Sequence, residues 1–202
     1  VTLLSPYLSR GVISTVAVLE SLIHRGFTFR ECETLIRELA WREYFQRVWQ
    51  VRNVSENLRE VTYSPEQTGV VPSALMASAT GIRAIDDAVT GLLQTGYMHN
   101  HCRLYTAAMA CHTARCHWLE PARWMYYHLI DGDWASNACS WQWVAGTGSS
   151  KPYVANQENI NRYTASDQTG TFLDVPYERL TEMPVPTELK AVSVPMLETI
   201  KE

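Results

Sequence analysis

Apolar residues recur at helical spacing through most of the chain. Over residues 11–26, "GVISTVAVLESLIHRG", they keep to one face, and the segment closes on Gly26, a residue suited to the left-handed turn that ends a helix. Residues 29–51 predict a long amphipathic helix, with Leu35, Leu39, Trp41, Phe45, Val48 and Trp49 among its apolar positions. Pro65, Gly69 and Pro72 interrupt the stretch from Arg52 to Ala79, which reads as irregular. Helical patterning returns in "TGIRAIDDAVTGLLQTG", ending at Gly96, and again in "HNHCRLYTAAMACHTARC". Pro121 then takes a first-turn position in a helix running towards Ile130. Beyond Gly146 the residues turn to Gly, Ser, Asn, Gln, Thr and Pro and the period fades, so loop and short helix packed on the body are expected. No period-2 alternation of convincing length and no repeat appears. The fold class is all-α, with a helical body over residues 1–148 and a divergent tail over 149–202 on the same domain.

Composition narrows what such a fold can do. At 202 residues the chain is one domain, or one plus a tail, with room for a substantial core. No apolar run approaches the roughly 20 residues that span a bilayer, and no charged-then-apolar leader opens the chain, so a cytoplasmic protein without membrane contact is expected. The opening "VTLLSPYL" already lies inside a structured-looking motif, from which residues missing upstream are expected. A net charge of −4 argues against coating nucleic acid by bulk electrostatics. Within it, 14 Arg stand against 3 Lys, and Arg is the cation that forks onto phosphate and carboxylate, so a local anion site stays open.

Five cysteines without a CxxC fit reduced thiols in a reducing compartment. The cluster "CHTARCH", Cys111 to His117, lacks the C-x-x-C-H spacing of haem attachment. On a continuous helix Cys111 and Cys116 would sit about 140° apart, which is no metal site; buried helical thiols with surface histidines are expected, and no metal.

Two stretches carry more polar and aromatic side chain than core filler needs: "MHNHCRLYTAAMA" from Met98 and "LIDGDWASNACSWQW" from Leu129. Neither has the spacing of a metal site or a hydrolytic triad. Together with "LLSPYLSRGVIS", "IRELAWREYFQRV" and "TGIRAIDDAV", in this order, they resemble the flavin-binding helical domain of the photolyase and cryptochrome family, over Leu3 to Gly148. The family's N-terminal α/β antenna domain has no counterpart here. The resemblance therefore implies a stand-alone catalytic half, with a separate protein as a conceivable source of the other domain, and the tail "KPYVANQENINRYT" departs from the family's usual continuation.

The resemblance implies FAD as cofactor and assigns roles. Thr2 and Ser5 match hydroxyl positions at the pyrophosphate, beside a helix N-terminus whose N–H groups favour anions; taken alone, Ser5 reads equally as a plain helix cap. Arg103 and Asp131 match a pair alongside the flavin ring, where a fixed positive charge favours the anionic reduced form; without the resemblance they read as a structural ion pair. Asp133 matches the acid at the ring's imide edge. Asn137 matches the catalytic group facing flavin N5, where an amide serves several redox states; its alternative is a helix cap or turn residue. Asn at this position leans the chain towards photolyases.

Glu38, Trp41 and Arg42 match one side of the pocket for a flipped-out cyclobutane dimer, and their i, i+3, i+4 spacing puts them on one helix face. Asn100 matches a lesion contact and Trp143 the opposing aromatic wall, since flat indoles stack on an unstacked pyrimidine pair. The alternative for both tryptophans is core packing. Trp141 and Trp118 match the proximal and middle members of a photoreduction chain, while the 52–79 region holds no distal Trp; Tyr63, Trp124 and Trp134 are substitutes. Asn100 and Leu104 stand where (6-4) photolyases carry histidines, which sets that lesion aside. His101 replaces an Arg expected on DNA phosphate, Leu104 replaces a Met of the pocket, and Cys139 and Ser140 replace glycines near the flavin. Three functions follow: light-driven repair of pyrimidine dimers in damaged DNA, a cryptochrome-like light or redox flavoprotein without repair, and a helical binding module that has lost flavin.

Overall fold

A computed structural model describes residues 2–59 and 65–197. Helices α1 (Ser5–Ser9), α2 (Thr15–His24) and α3 (Phe29–Val51) come first. Ser14 caps α2 through a 3.0 Å bond from the Ala17 N–H, and Thr28 with Glu31 forms a capping box at the start of α3. The extent of α3 is the one its sequence predicts, but its burial is not. Only Cys32 and Leu39 are buried, while Trp41 and Trp49 stand 49% and 48% exposed. The apolar side of α3 is mostly a cleft wall rather than a core face, which is why the amphipathic reading overstated its burial.

In the irregular region lie a two-residue strand, β1 (Val71–Pro72), and the short α4 (Ser73–Met76). β1 pairs antiparallel with β2 (Val192–Ser193), so the end of the described structure is stitched to the segment after α3 by a minimal sheet in an otherwise helical fold. Next comes α5 (Arg83–Thr95), which buries Ile85, Val89 and Leu92, an i, i+4, i+7 stripe, and ends on Gly96 in the left-handed conformation (φ 71°). α6 (Asn100–Ala108) runs straight into a π-helical turn at Met109–Thr113, and α7 (Leu119–His128) follows.

That π turn corrects the expectation of a helix continuing to Cys116. Cys116 instead bridges Gln67 in a short parallel contact, so the 140° helical separation from Cys111 does not apply. His112 is not on the surface either: its Nε2 lies 2.8 Å from the Val144 carbonyl.

α8 (Trp134–Ala145) is the centre of the body and packs on α3, α6 and α7. Its Gln142 is fully buried and satisfied at both ends of the amide. Nε2 donates to the carbonyls of Val54 and Glu56 at 2.9 and 3.1 Å, while Oε1 accepts from Leu58 N–H and the Thr147 hydroxyl at 2.8 and 3.2 Å. One side chain thus pins the turn after α3 to the core helix. Past residue 148, α9 (Gln157–Thr164) packs on α5, and α10 (Tyr177–Leu180) and a 3₁₀ turn (Thr187–Leu189) follow. No described helix is long and apolar enough to cross a membrane.

Candidate functional site

The site is built where α3 crosses α8. Along α8, Asp133, Ser136, Asn137, Ser140, Trp141 and Val144 follow one helical stripe and face a cavity of about 270 Å³. Opposite stand Glu38, Trp41, Arg42 and Phe45 of α3, with Thr2, Ser5, Leu8 and Ser9 of the N-terminal segment and Asn100, Arg103 and Leu104 of α6. A second, outer cavity of about 570 Å³ is lined by Trp41, Phe45, Arg52, Arg59, Cys139 and Trp143, among others. The two share Glu38, Trp41, Phe45, Asn100, Leu104 and Ser140, so they form one cleft with an inner and an outer chamber. Joined, they come within the roughly 300–1,000 Å³ usual for small-molecule sites.

Two ion pairs line the inner chamber, Arg103–Asp131 and Arg42–Asp133. Arg103 Nη2 donates to both carboxylate oxygens of Asp131, at 2.9 and 2.8 Å, and its Nε donates to the Met98 carbonyl at 2.8 Å. Asp131 is 7% exposed, so this is a nearly buried, charge-assisted pair made through one guanidinium nitrogen. Asp133 caps α8 by accepting from Ser136 N–H at 2.8 Å, and its other oxygen accepts from Arg42 at 2.8 Å and Gln46 at 2.5 Å. Gly132 lets these two acids flank a tight corner: a Cβ there would come within 3.0 Å of the Leu129 carbonyl and 3.1 Å of the Tyr126 carbonyl. Ser9 adds a 2.8 Å bond to the Asp131 carbonyl, anchoring α1 over the corner.

Asn137 is the fourth residue of α8, neither cap nor turn. Its Nδ2 donates to the Ala122 carbonyl at 2.9 Å, which leaves Oδ1, among the described residues, as an unengaged acceptor on a cavity-lining side chain. The Ser136 hydroxyl beside it is buried with no hydrogen-bond partner. An orphaned buried hydroxyl costs about 1–3 kcal/mol unless something completes it, so this part of the wall suits a polar ligand better than an empty protein. Ser5 is not a helix cap, since the cap of α1 is Leu4; its residue lines the inner chamber with Thr2.

Neither candidate stacking wall is core. Trp41 is 49% and Trp143 44% exposed, and both line the outer chamber with Glu38 and Asn100. Trp41 stacks on Phe45 of its own helix at 5.6 Å and 28°. Glu38, Trp41 and Arg42 all line the inner chamber, where Arg42 pairs with Asp133, while only Glu38 and Trp41 also line the outer one. Cys139 lines the outer chamber, and burial, with Asp133 adding to it, pushes its thiol up to about 11, away from thiolate reactivity.

Trp141 is 2% exposed and borders the inner chamber, while Trp118 is fully buried outside it with its indole N–H on Asn57 at 2.9 Å. Trp124 packs edge-on against His128 at 5.5 Å, and Trp134 against Tyr126 at 5.4 Å. Tyr63 falls outside the described residues. His101, at the position expected of a phosphate-binding Arg, is stacked between His99 at 5.4 Å and Tyr163 at 5.0 Å. Burial, then the neighbouring His101, hold the His99 pKa below its usual value. Sequence reasoning missed Gln46, Ser9 and Ser136. Gln46 was signalled by its place one turn beyond Arg42 on the same face.

A family model described as the FAD binding domain of DNA photolyase matches residues 35–195. The deoxyribodipyrimidine photo-lyase of Alkalihalophilus pseudofirmus is 28% identical over 188 residues, which cover 90% of this chain and 39% of that protein. That of Streptomyces griseus is 33% identical over 156 residues, 72% of this chain and 32% of that protein. An archaeal photolyase from Sulfolobus tokodaii, solved with two FAD molecules, matches with a TM-score of 0.66 and 25% identity over 92% of this chain and 45% of its own. The cryptochrome of Synechocystis shares the fold with a TM-score of 0.69, at 24% identity over 80% of this chain and 35% of its own. The chain thus spans less than half the length of each of these proteins.

Proposed function

The chain belongs to the family of FAD-binding domains of DNA photolyases, and from that premise we propose that it repairs cyclobutane pyrimidine dimers in DNA by light-driven electron transfer. One observation carries the proposal: two half-exposed indoles, Trp41 and Trp143, stand on a chamber that opens directly into the charged inner cavity. Reduced FAD, which Thr2, Ser5, Arg103, Asp133 and Asn137 would hold there, would supply photoexcited one-electron chemistry with no net redox change.

The chain's own residues bind and orient. Thr2 and Ser5 offer hydroxyls at the end of the inner chamber nearest α1, where a phosphate group fits. Arg103 would place a permanent cation beside the ring site, with both Asp131 oxygens holding its Nη2. Asp133, fixed from three directions, would offer a carboxylate oxygen to an imide N–H, and Asn137 Oδ1 would accept a hydrogen bond from a protonated ring nitrogen. In the outer chamber Trp41 and Trp143 stack on the flipped dimer, whose poor stacking lowers the cost of extrusion, and Glu38 and Asn100 bond its base edges. Trp141, between cavity and core, is the entry point for electrons that reduce the flavin, with the buried Trp118 as the next member of the chain.

The test is repair of a dimer-containing oligonucleotide under blue or near-ultraviolet light by FAD-loaded, chemically reduced protein. Wild type reverses dimers; Trp41→Ala keeps its FAD but loses roughly 5- to 150-fold in preference for damaged DNA, the worth of one stacking platform. FAD binding without any dimer preference or reversal would overturn the repair reading. It would favour a light or redox flavoprotein instead, a reading supported by His101, whose ring is stacked between His99 and Tyr163 rather than extended as a cation towards phosphate.

A further inference from the structure

The loop after α8 folds back on the helix it leaves. Gly148 N–H donates to the Gln142 carbonyl at 2.9 Å, and Tyr153 N–H to the Val144 carbonyl at 2.9 Å. The Ser149 hydroxyl lies 2.9 Å from the Trp143 carbonyl and 2.6 Å from that of Lys151, closing the loop over the last turn of α8. These ties set the Tyr153 ring 5.3 Å from the Trp143 indole at an interplanar angle of 31°.

Tyr153 is half-buried and does not line the cleft; its phenol neighbours Tyr105, which is 1% exposed in the core. It therefore packs against Trp143 from outside the cleft, while Trp143 itself lines the outer chamber. The opposite wall is braced differently. Trp41 stacks on Phe45, four residues on in the same helix, whereas Trp143 has Cys139 at i−4 and Thr147 at i+4, neither of them aromatic. A half-exposed indole without a backing ring samples several staggered wells, each of which turns its face elsewhere, and that freedom is lost when a flat ligand stacks.

We propose that Tyr153 is a positioning residue: it holds Trp143 in the rotamer that stacks on substrate, so that part of the dimer's affinity comes from the loop after α8 rather than from the chamber itself. The inference rests on the reading of the outer chamber as the dimer site. It acts through Trp143 and not through substrate contact, which gives it a distinct signature.

The experiment compares the affinity of FAD-loaded protein for dimer-containing and intact oligonucleotides, with FAD content and thermal midpoint recorded for each variant. Tyr153→Ala should lower the dimer preference by roughly 2- to 13-fold, the range of one aromatic pair, with FAD content retained. Tyr153→Phe should restore it, because the brace needs the ring and not the phenol. In a Trp143→Ala background, Tyr153→Ala should cost nothing further. An equal loss in both backgrounds, or no loss in Tyr153→Ala while Trp143→Ala loses preference, would overturn the positioning role alone. A wild type without dimer preference, or a Trp143→Ala variant that keeps all of it, would overturn the dimer-site reading and this inference with it.

Discussion

Arg42, in the middle of α3, reaches across to Asp133 at the start of α8 and closes on its carboxylate at 2.8 Å. Both side chains are mostly withdrawn from solvent, and the same oxygen takes a second bond from Gln46. Helix cap, interhelical tie and candidate ligand acceptor thus converge on one carboxylate. Asp133→Ala should lose a cap worth about 0.5–2 kcal/mol, strand Arg42 and weaken FAD. Asp133→Asn keeps an acceptor for Ser136 N–H but turns an amide NH2 towards Arg42 and Gln46, so it should restore the cap's share of stability without restoring FAD affinity. Urea unfolding alongside FAD titration separates the two; equal rescue of both would mean that the carboxylate serves structure only.

Removing Arg103 should hurt more than removing its partner. Asp131 is 7% exposed and would remain as an uncompensated charge, at a cost of about 3–5 kcal/mol. Asp131→Asn keeps hydrogen-bonding capacity for the guanidinium and should cost less. Chemical denaturation of Arg103→Met and Asp131→Asn in the FAD-free protein reads this order directly. A reversed order would show that the site around Asp131 is wetter than its burial indicates.

Photoreduction should depend on Trp141 before Trp118, since Trp141 borders the inner chamber and the buried Trp118 does not. Trp141→Phe should slow light-driven reduction of bound FAD by an external thiol, and Trp118→Phe should slow it with a further small loss of stability from the Asn57 bond. Unchanged rates in both variants would route electrons elsewhere, with Trp124 and Trp134 the next to replace.

Acid should destabilise the fold from just below neutrality. His99, His112, His117 and His128 are all held below the usual 6.5, burial being the largest cause in each. The unfolded chain then takes up protons first, so this stabilisation is complete above about pH 6.5 and drains away as pH falls from there towards the lower folded values. Unfolding midpoints in urea should drop between pH 7 and 5. His112→Gln, which retains a donor for the Val144 carbonyl, should flatten that drop.

Helix positions were legible because they rest on local chemistry. Apolar spacing over residues 29–51 marked the extent of α3, and Gly96 marked the end of α5. The π turn at Met109 was not, since nothing in "MACHT" distinguishes it from an α-helical turn. The segment after residue 148 looked featureless for a related reason. It is held by side-chain amides, such as Gln168 on the Arg83 N–H and the Gly81 carbonyl, and these leave no hydrophobic period. At the site, the acids and tryptophans stood out by type. The direction of Arg42 and the service of Gln46 depended on a helix more than 80 residues distant in sequence.

One helix, α3, lines both chambers, with Trp41 on the outer one and Gln46 reaching the inner one's acid a turn later. Each residue added to or removed from a helix rotates everything beyond it by about 100°. A single-residue insertion after Ala40 would therefore swing Trp41, Arg42 and Gln46 out of place together, whatever their identities. Substitutions here can be absorbed one at a time, but the number of residues between Glu38 and Gln46 cannot drift. Length in this stretch is a functional property in its own right, and relatives that keep the chemistry are expected to keep the count even where they change the letters.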